Sequence, residues 1–153
     1  MTVGDVAAAV GKGLLAGAVG TAAMTLSSTA EMKLRGREAS DAPAQAASKV
    51  LGIEPVGDAQ TQRFSNLVHW SYGTAWGSVR GLLAMLGLSG APATAAHMGA
   101  VWGAELAMLP ALDVAPPVTQ WGVKEAAIDA GHHLVYAVAT GLAFAFLDHN
   151  VSG

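Results

Sequence analysis

The stretch from residue 64 to residue 88, FSNLVHWSYGTAWGSVRGLLAMLGL, limits the possible folds more than any other part of the chain. It is long enough to cross a bilayer as a helix, which takes about 20 residues. At about 100° per residue, His69, Trp76 and Arg80 fall on nearly one line along such a helix, and Leu82 and Leu86 face away from it. The stretch therefore predicts a transmembrane helix with one polar face and one lipid face.

The composition supports a membrane protein. Hydrophobic residues make up 52% of the chain and charged residues only 12%, against about 25% charged residues in soluble domains. The 19 glycines are typical of membrane helices, where glycine lets two helices approach closely. There is no cysteine, which excludes disulfides and thiolate metal sites, and no basic cluster that would indicate a nucleic-acid partner.

Apolar stretches predict four spans, and a polar segment at 31–63 predicts one sizeable loop. The spans are 13–30, 64–88, 94–112 and 130–147. Within the loop, residues 39–52 predict a short amphipathic helix that ends at Gly52. The turn SGAP at 89–92 predicts an antiparallel hairpin of the second and third spans. We therefore expect an all-α, polytopic membrane protein, a single membrane domain over 1–153 with four transmembrane helices in a compact bundle.

A partial internal similarity indicates two repeated two-helix units. The histidine, tyrosine and glycine at positions 69, 72 and 77 recur with the same spacing at 133, 136 and 141. Such a repeat would be a parallel one, with each unit contributing two spans.

Glycines spaced by four residues predict close packing between the spans. Lipid gives helices no hydrophobic reason to associate, so grooves of small residues are a main means of contact. The alternative is that these glycines only reflect a biased composition. The positions expected to pack are Gly73, Gly77, Gly81, Gly99, Gly103 and Gly141.

Lysine and arginine predict the orientation. They concentrate in the segments after the first and third spans, which the positive-inside rule places in the cytoplasm. The expected location is the bacterial cytoplasmic (inner) membrane, with several spans and with both termini outside.

Arg80 and Glu105 are charges inside predicted spans, where each costs about 2.5–3.5 kcal/mol. Both lie at a similar number of residues from the turn near residue 90, which predicts that they form an ion pair. The pair could be a gate or a proton-linked element, or a structural pair that fixes the helix register, and we favour the structural role. With His97, two turns before Glu105, a proton relay can also be drawn.

A second group of ionisable residues is expected at the cytoplasmic ends of the helices. Imidazole and carboxylate together suit a divalent metal, and His69 opposite His133 could hold a haem iron. The alternative, which we favour, is that these residues are polar caps at the membrane interface and that no cofactor is bound. The group comprises Glu31, His69, Asp113, Asp129, His132 and His133. No catalytic motif accompanies them, so an enzyme is the less expected class.

Several short motifs resemble the YagU-like family of small bacterial inner-membrane proteins of unknown function. They are HWSYG at 69–73, HLVYA at 133–137, LPAL followed by APP at 109–117, and GHHLVYAVATG at 131–141. The resemblance implies an integral inner-membrane protein and assigns no catalytic residue. The charged segment at 31–63 departs from it.

Three functions follow as hypotheses. The first is a binding, conducting or transport-related unit with a buried Arg80–Glu105 pair. The second is a haem- or metal-binding redox protein that uses His69 and His133. The third is a structural accessory subunit of a larger membrane complex. The expected partners are the lipid bilayer and either a second copy of the chain or other membrane subunits.

Overall fold

The computed structural model describes residues 2–151, and all regular secondary structure in this range is helical. The helices are α1 (Val3–Arg35), α2 (Ala42–Leu51), α3 (Asp58–Met85), α4 (Gly90–Ala111) and α5 (Val123–Val151), with a short 3₁₀ turn at Val118–Gln120. The all-α class predicted from the sequence is confirmed.

Four long helices form the bundle, and α1 packs on both α3 and α5, while α4 packs chiefly on α5. Each long helix runs antiparallel to the next along the chain. Both described termini and the turn at 86–89 therefore lie at one end, which we call the terminal end. The connections 36–57 and 112–122 lie at the other, the loop end.

The α1 helix begins directly after its N-cap residue, Thr2, and not after Lys12, where the predicted span begins. Thr2 and Asp5 form a reciprocal capping box, with the Asp5 amide donating to Thr2 Oγ1 at 3.2 Å. The helix ends at Gly36, whose φ of 64° is left-handed. The predicted span 13–30 is thus the middle of a longer helix, in which Lys12 reaches Asp148 of α5 at 2.9 Å.

The turn between α3 and α4 lies earlier than predicted. The chain reverses at 86–89, and Ser89 precedes α4, so Pro92 stands in the first turn of that helix rather than in the loop. Proline is tolerated there because the first helical amides have no intrahelical partner. The α3 helix also begins earlier than the predicted residue 64, at Asp58.

The short helix predicted over 39–52 is confirmed as α2. Proline at its second position suits a helix start, and Gly52 ends it with a φ of 67°. Ala44 and Ala46 are its buried residues, and the helix packs on α3 at the loop end. This packing places the 36–57 connection against the bundle.

Among the described residues, two helices are long and apolar enough to cross a membrane by length and composition: Val3–Arg35 and Val123–Asn150. Both also contain charged residues near their ends. By the same criteria, α3 and α4 do not qualify.

Close helix contact in the bundle is centred on α1. Its buried residues are all small: Gly13, Ala16, Gly17, Gly20 and Thr21. A Cβ added at Gly77 of α3 would lie 2.5 Å from the Gly17 Cα and 2.7 Å from its nitrogen, so the two backbones touch here. On the α5 side, a Cβ at Gly20 would lie 2.9 Å from the Tyr136 ring. The terminal half of the bundle is consequently closed by backbone contact, while the loop half is more open.

Candidate functional site

A cavity of about 480 Å³ occupies the loop half of the bundle, between α1, α3, α4 and α5, and α2 also lines it through Ala42, Pro43 and Ala46. Arg37, Ser40 and Gln62 line it near the loop end, and Gly73 and Tyr136 line it near mid-height. The α1 wall presents a run of hydroxyl groups: Thr21, Thr25, Ser28 and Thr29. The facing walls present five ionisable side chains: His69, Glu105, Asp129, His132 and His133.

Tyr136 forms the floor of this cavity. Its side chain is 2% exposed, and its hydroxyl donates to the Gly73 carbonyl oxygen of α3 at 2.6 Å. The His97 ring lies 5.5 Å from the Tyr136 ring, and His97 Nε2 donates to the Trp76 carbonyl oxygen at 3.0 Å. Beyond this floor the glycine contacts of α1 and α3 begin, and they close the cavity toward the terminal end.

One wall holds a connected set of polar side chains from α4 and α5. His133 Nε2 lies 2.5 Å from Glu105 Oε2, and His133 Nδ1 lies 3.0 Å from the backbone carbonyl oxygen of Asp129. The Asp129 carboxylate accepts from Trp102 Nε1 at 2.7 Å. Ligand-type atoms of Glu105, Asp129 and His133 all lie within 4.8 Å of one another.

The other two cavity histidines are held by α1. His69 Nε2 lies 3.0 Å from Thr25 Oγ1, and His132 Nδ1 lies 2.8 Å from Ser27 Oγ. His132 Nε2 has no hydrogen-bond partner and is 3.9 Å from Glu31. The two neighbouring histidines of α5 therefore point to different helices, His132 to α1 and His133 to α4.

Ion pairs hold the helices together at the loop end of the cavity. Glu31 accepts from Arg35 at 2.8 Å and from Arg37 at 2.6 Å, and Arg35 also reaches Glu125 of α5 at 2.6 Å. Arg37 lines the cavity while it is bound to Glu31, so its charge is largely compensated there.

Arg80 and Glu105 do not form the predicted ion pair. Glu105 contacts His133, whereas the Arg80 guanidinium lies over the Phe144 ring, 4.6 Å from its centre. His133 and Phe144 are 11 positions apart on α5, or about 16 Å at 1.5 Å per residue. The sequence estimate failed because it counted from residue 90, whereas α3 already ends at Met85.

The drawn relay through His97, Glu105 and Arg80 is likewise not continuous. His97 contacts the Trp76 backbone and the Tyr136 ring rather than either charged side chain. Glu105 lies two turns farther toward the loop end of α4.

Asp113 stands apart from the ionisable residues that the sequence grouped with it. It lies in the turn after α4 with a φ of 50° and lines a separate shallow depression beside Pro116 and Pro117. Lys49 of α2 donates to the carbonyl oxygen of Asp113 at 3.2 Å. His69, Asp129, His132 and His133 do line one cavity, with Glu31 at its edge.

The glycines proposed for packing fall into two groups. Added Cβ atoms at Gly73, Gly77 and Gly81 would overlap atoms of α1, and one at Gly141 would lie 2.8 Å from Thr94 Oγ1 of α4. Gly99 and Gly103 face open space, with nothing within 4 Å of such a Cβ.

Sequence reasoning missed Trp102 and the floor role of Tyr136, and it assigned Glu105 to the wrong partner. Asp129 and His133 are four residues apart on one helix, which places them on one face. That spacing could have indicated a shared site of Asp129 and His133. The depth of Glu105 relative to the other helices could not be predicted, because it depends on where the α3–α4 turn lies.

No family model, no curated protein and no solved structure matches this chain.

Proposed function

We propose that this chain is a multi-pass integral protein of the bacterial cytoplasmic membrane that binds a small solute in a cavity open to one side only. The observation that carries the proposal is the cavity of about 480 Å³, which is mainly apolar but has five ionisable side chains on its walls and is closed at mid-height by Tyr136. A cavity with one open end supports binding, or one state of a transport cycle, rather than a continuous pore.

The outer surface of the bundle supports the membrane location. In each of the two apolar helices, only 33% of the most apolar 18-residue stretch is buried within the bundle. Soluble monomers seldom expose a contiguous apolar patch larger than about 300–600 Å². Large side chains that point outward from α1 and α5 include Leu15, Val19, Leu26, Leu134, Leu142 and Phe146. Hydrocarbon around the bundle would cover these side chains.

We extend the same proposal to α3 and α4 as the two remaining spans. Their polar residues support this, because many of them point inward: Ser65, Arg80 and His97 are buried, and His69 and Glu105 line the cavity. Ionisable residues of transmembrane helices normally face the bundle interior or a water-filled cavity.

Three sequence-based expectations stay predictions within this proposal. They are the resemblance to the YagU-like family, the duplication of a two-helix unit, and association with a second copy or another membrane subunit. Tyr72 is 39% exposed and Tyr136 is 2% exposed, so the two repeat positions differ in environment.

Cysteine labelling tests the proposal, because the chain itself contains no cysteine. Ser28 and Leu26 are two residues apart on α1, but Ser28 lines the cavity and Leu26 is 73% exposed on the outer face. In membrane vesicles, we expect a membrane-impermeant thiol reagent to modify Ser28→Cys. Leu26→Cys should react at least about 100-fold more slowly, since a thiol in hydrocarbon does not form the reactive thiolate.

Glu38→Cys, in the exposed connection after α1, marks the loop side. Ser28→Cys should react only when the reagent is on the side from which Glu38→Cys reacts. Equal rates for Leu26→Cys and Ser28→Cys would contradict the membrane location. Modification of Ser28→Cys from the opposite side would contradict the closed floor.

A further inference from the structure

The wall of the cavity formed by α4 and α5 brings three potential metal ligands together. Glu105, Asp129 and His133 each place a nitrogen or oxygen atom within 4.8 Å of the other two. Ligands of one small cation sit about 2.0–2.2 Å from it and thus about 3.4 Å from each other in a tetrahedron. Binding through His133 Nε2 would need side-chain rotations that widen the Glu105–His133 contact and bring the Asp129 carboxylate, now 3.7 Å from Nδ1, toward Nε2.

The surroundings of His133 match those of a metal-binding histidine. Its Nδ1 faces the Asp129 carbonyl oxygen at 3.0 Å, and a carbonyl can only accept, so Nδ1 carries the hydrogen. This leaves Nε2 directed at Glu105. A ligating histidine almost always donates its other ring N–H to a backbone carbonyl, a carboxylate or water, which fixes the ring. His133 is also 5% exposed, so the ring is held by packing as well.

Asp129 is oriented in a comparable way. Trp102 Nε1 donates to its Oδ2 atom at 2.7 Å. Hydrogen-bonded carboxylates of this kind are a regular feature of the shell around metal ligands. Two of the three potential ligands are therefore oriented by neighbouring groups before any ion binds.

The charge balance also favours a dication. Without the proton of the Glu105–His133 contact, two carboxylates and a neutral imidazole carry a charge of −2, which one divalent ion neutralises, and Arg37, which lines the same cavity, is bound to Glu31. With Nδ1 acting as a donor, one proton lies between His133 Nε2 and Glu105. A divalent ion would take the place of that proton.

We propose that Glu105, Asp129 and His133 bind one divalent transition-metal ion in the wall of the cavity. One imidazole nitrogen and two carboxylates suit Zn²⁺, Mn²⁺ and Fe²⁺. The remaining coordination positions face the cavity, where water or a group of the solute can occupy them. The site differs from the His69–His133 pair considered from the sequence, because His69 is bound to Thr25 of α1. It rests on the proposed function only in requiring that the cavity admits ions from the loop side.

Metal titration of the purified protein tests this site. The protein is treated with a chelator, desalted in detergent, and titrated with Zn²⁺ and Co²⁺, with Co²⁺ absorption reporting ligand geometry. We expect one ion per chain. His133→Ala and Glu105→Gln should each weaken binding at least about tenfold, because outer-shell changes alone cost about 10–100-fold.

His69→Ala is the matched control, since it removes a histidine from the same cavity but from outside the ligand set. It should bind one ion with nearly unchanged affinity. Glu105→Gln is isosteric and preserves the packing of the site, so thermal unfolding of that variant separates lost binding from lost folding. Loss of the ion in both His133→Ala and Glu105→Gln, with His69→Ala unaffected, supports the site.

No stoichiometric ion in the unmodified chain, or unchanged affinity in Glu105→Gln, would overturn the inference. Equal loss in His69→Ala would also overturn it, in favour of a different ligand set. These outcomes are separable from the labelling experiment. If Ser28→Cys reacts from the loop side and no ion binds, the cavity stands and the metal site does not.

Discussion

Arg80 is 3% exposed, and within residues 2–151 its Nε and Nη1 atoms have no hydrogen-bond partner. Desolvation of such a charge costs several kcal/mol. The contact with the Phe144 ring offsets about 2 kcal/mol of this. We therefore expect the arginine to lower the stability of the fold at its own position, because Glu105 lies elsewhere and Asp148 of α5 attracts the guanidinium without a direct ion pair.

We predict that Arg80→Met raises the free energy of unfolding by about 1–3 kcal/mol, because an apolar chain of similar length fills the space without the buried charge. Phe144→Leu in the unmodified background should lower it, through loss of the ring beneath the guanidinium. Denaturant-induced unfolding in detergent measures both. A destabilised Arg80→Met would show that the guanidinium has a stabilising partner that offsets its burial.

At the scale of the helices, the contact between α1 and α3 is the most demanding one. At Gly77 a Cβ would meet backbone atoms of Gly13 and Gly17, which cannot rotate away as a side chain can. Closeness of this kind gives extensive van der Waals contact without ordering any side chain.

Gly77→Ala should therefore destabilise the protein by about 1–3 kcal/mol, the usual range for overpacking, or more. Gly99→Ala is the matched control, because a Cβ there meets nothing within 4 Å and alanine favours a helix by about 0.5–1 kcal/mol. Unfolding curves of the two variants should move in opposite directions. Similar losses in both would mean that helix packing does not distinguish the two positions.

The helices themselves were largely predictable from local sequence, and their contacts were not. The apolar stretches and Gly52 indicated where helices lie and where α2 ends. The small-xxx-small pattern is the same around Gly77 and around Gly99, yet α1 lies against the first and open space against the second. Which face meets a partner depends on the whole arrangement of helices, which a local pattern does not contain.

The candidate site shows the same limit. His69, Asp129 and His133 were grouped from their depth in the sequence, and they do line one cavity. Glu105 was misplaced because moving the α3–α4 turn by one residue changes the depth on the two helices in opposite directions by about 1.5 Å each, and thus the relative depth by about 3 Å. Any error in the predicted position of a turn therefore changes which residues are expected to meet in a site between two helices.

For the molecule as a whole, charge is distributed unevenly between its two ends. The loop end carries Arg35 and Arg37, which are bound to Glu31, and also Lys49 and Lys124, while the terminal end has Lys12. Positive residues near the ends of the spans set the orientation, and acidic neighbours contribute little to it. The proposed orientation therefore has the loop end in the cytoplasm.

We predict that alkaline phosphatase fused after Gly153 is active in cells, and that green fluorescent protein fused there is dark, since both report an outside location for the terminal end. Reporters inserted after Glu38 should behave in the opposite way. A fluorescent protein that is bright at the C-terminus would reverse the orientation while leaving the bundle and the cavity unchanged.

The inward face of α1 also limits which substitutions the sequence can accept during evolution. Gly13, Gly17 and Gly20 lie where the neighbouring helices leave no room for a further carbon atom. Since every other amino acid carries a Cβ, any single substitution at these three positions would produce a steric overlap with a neighbouring helix. Substitutions can accumulate on the outer surface of the bundle and in the connections, whereas the inward face of α1 can change only if a neighbouring helix changes with it. Neutral drift would therefore preserve these positions of α1 together with the facing glycines of α3, Gly73, Gly77 and Gly81, although neither helix contributes a ligand to the proposed metal site.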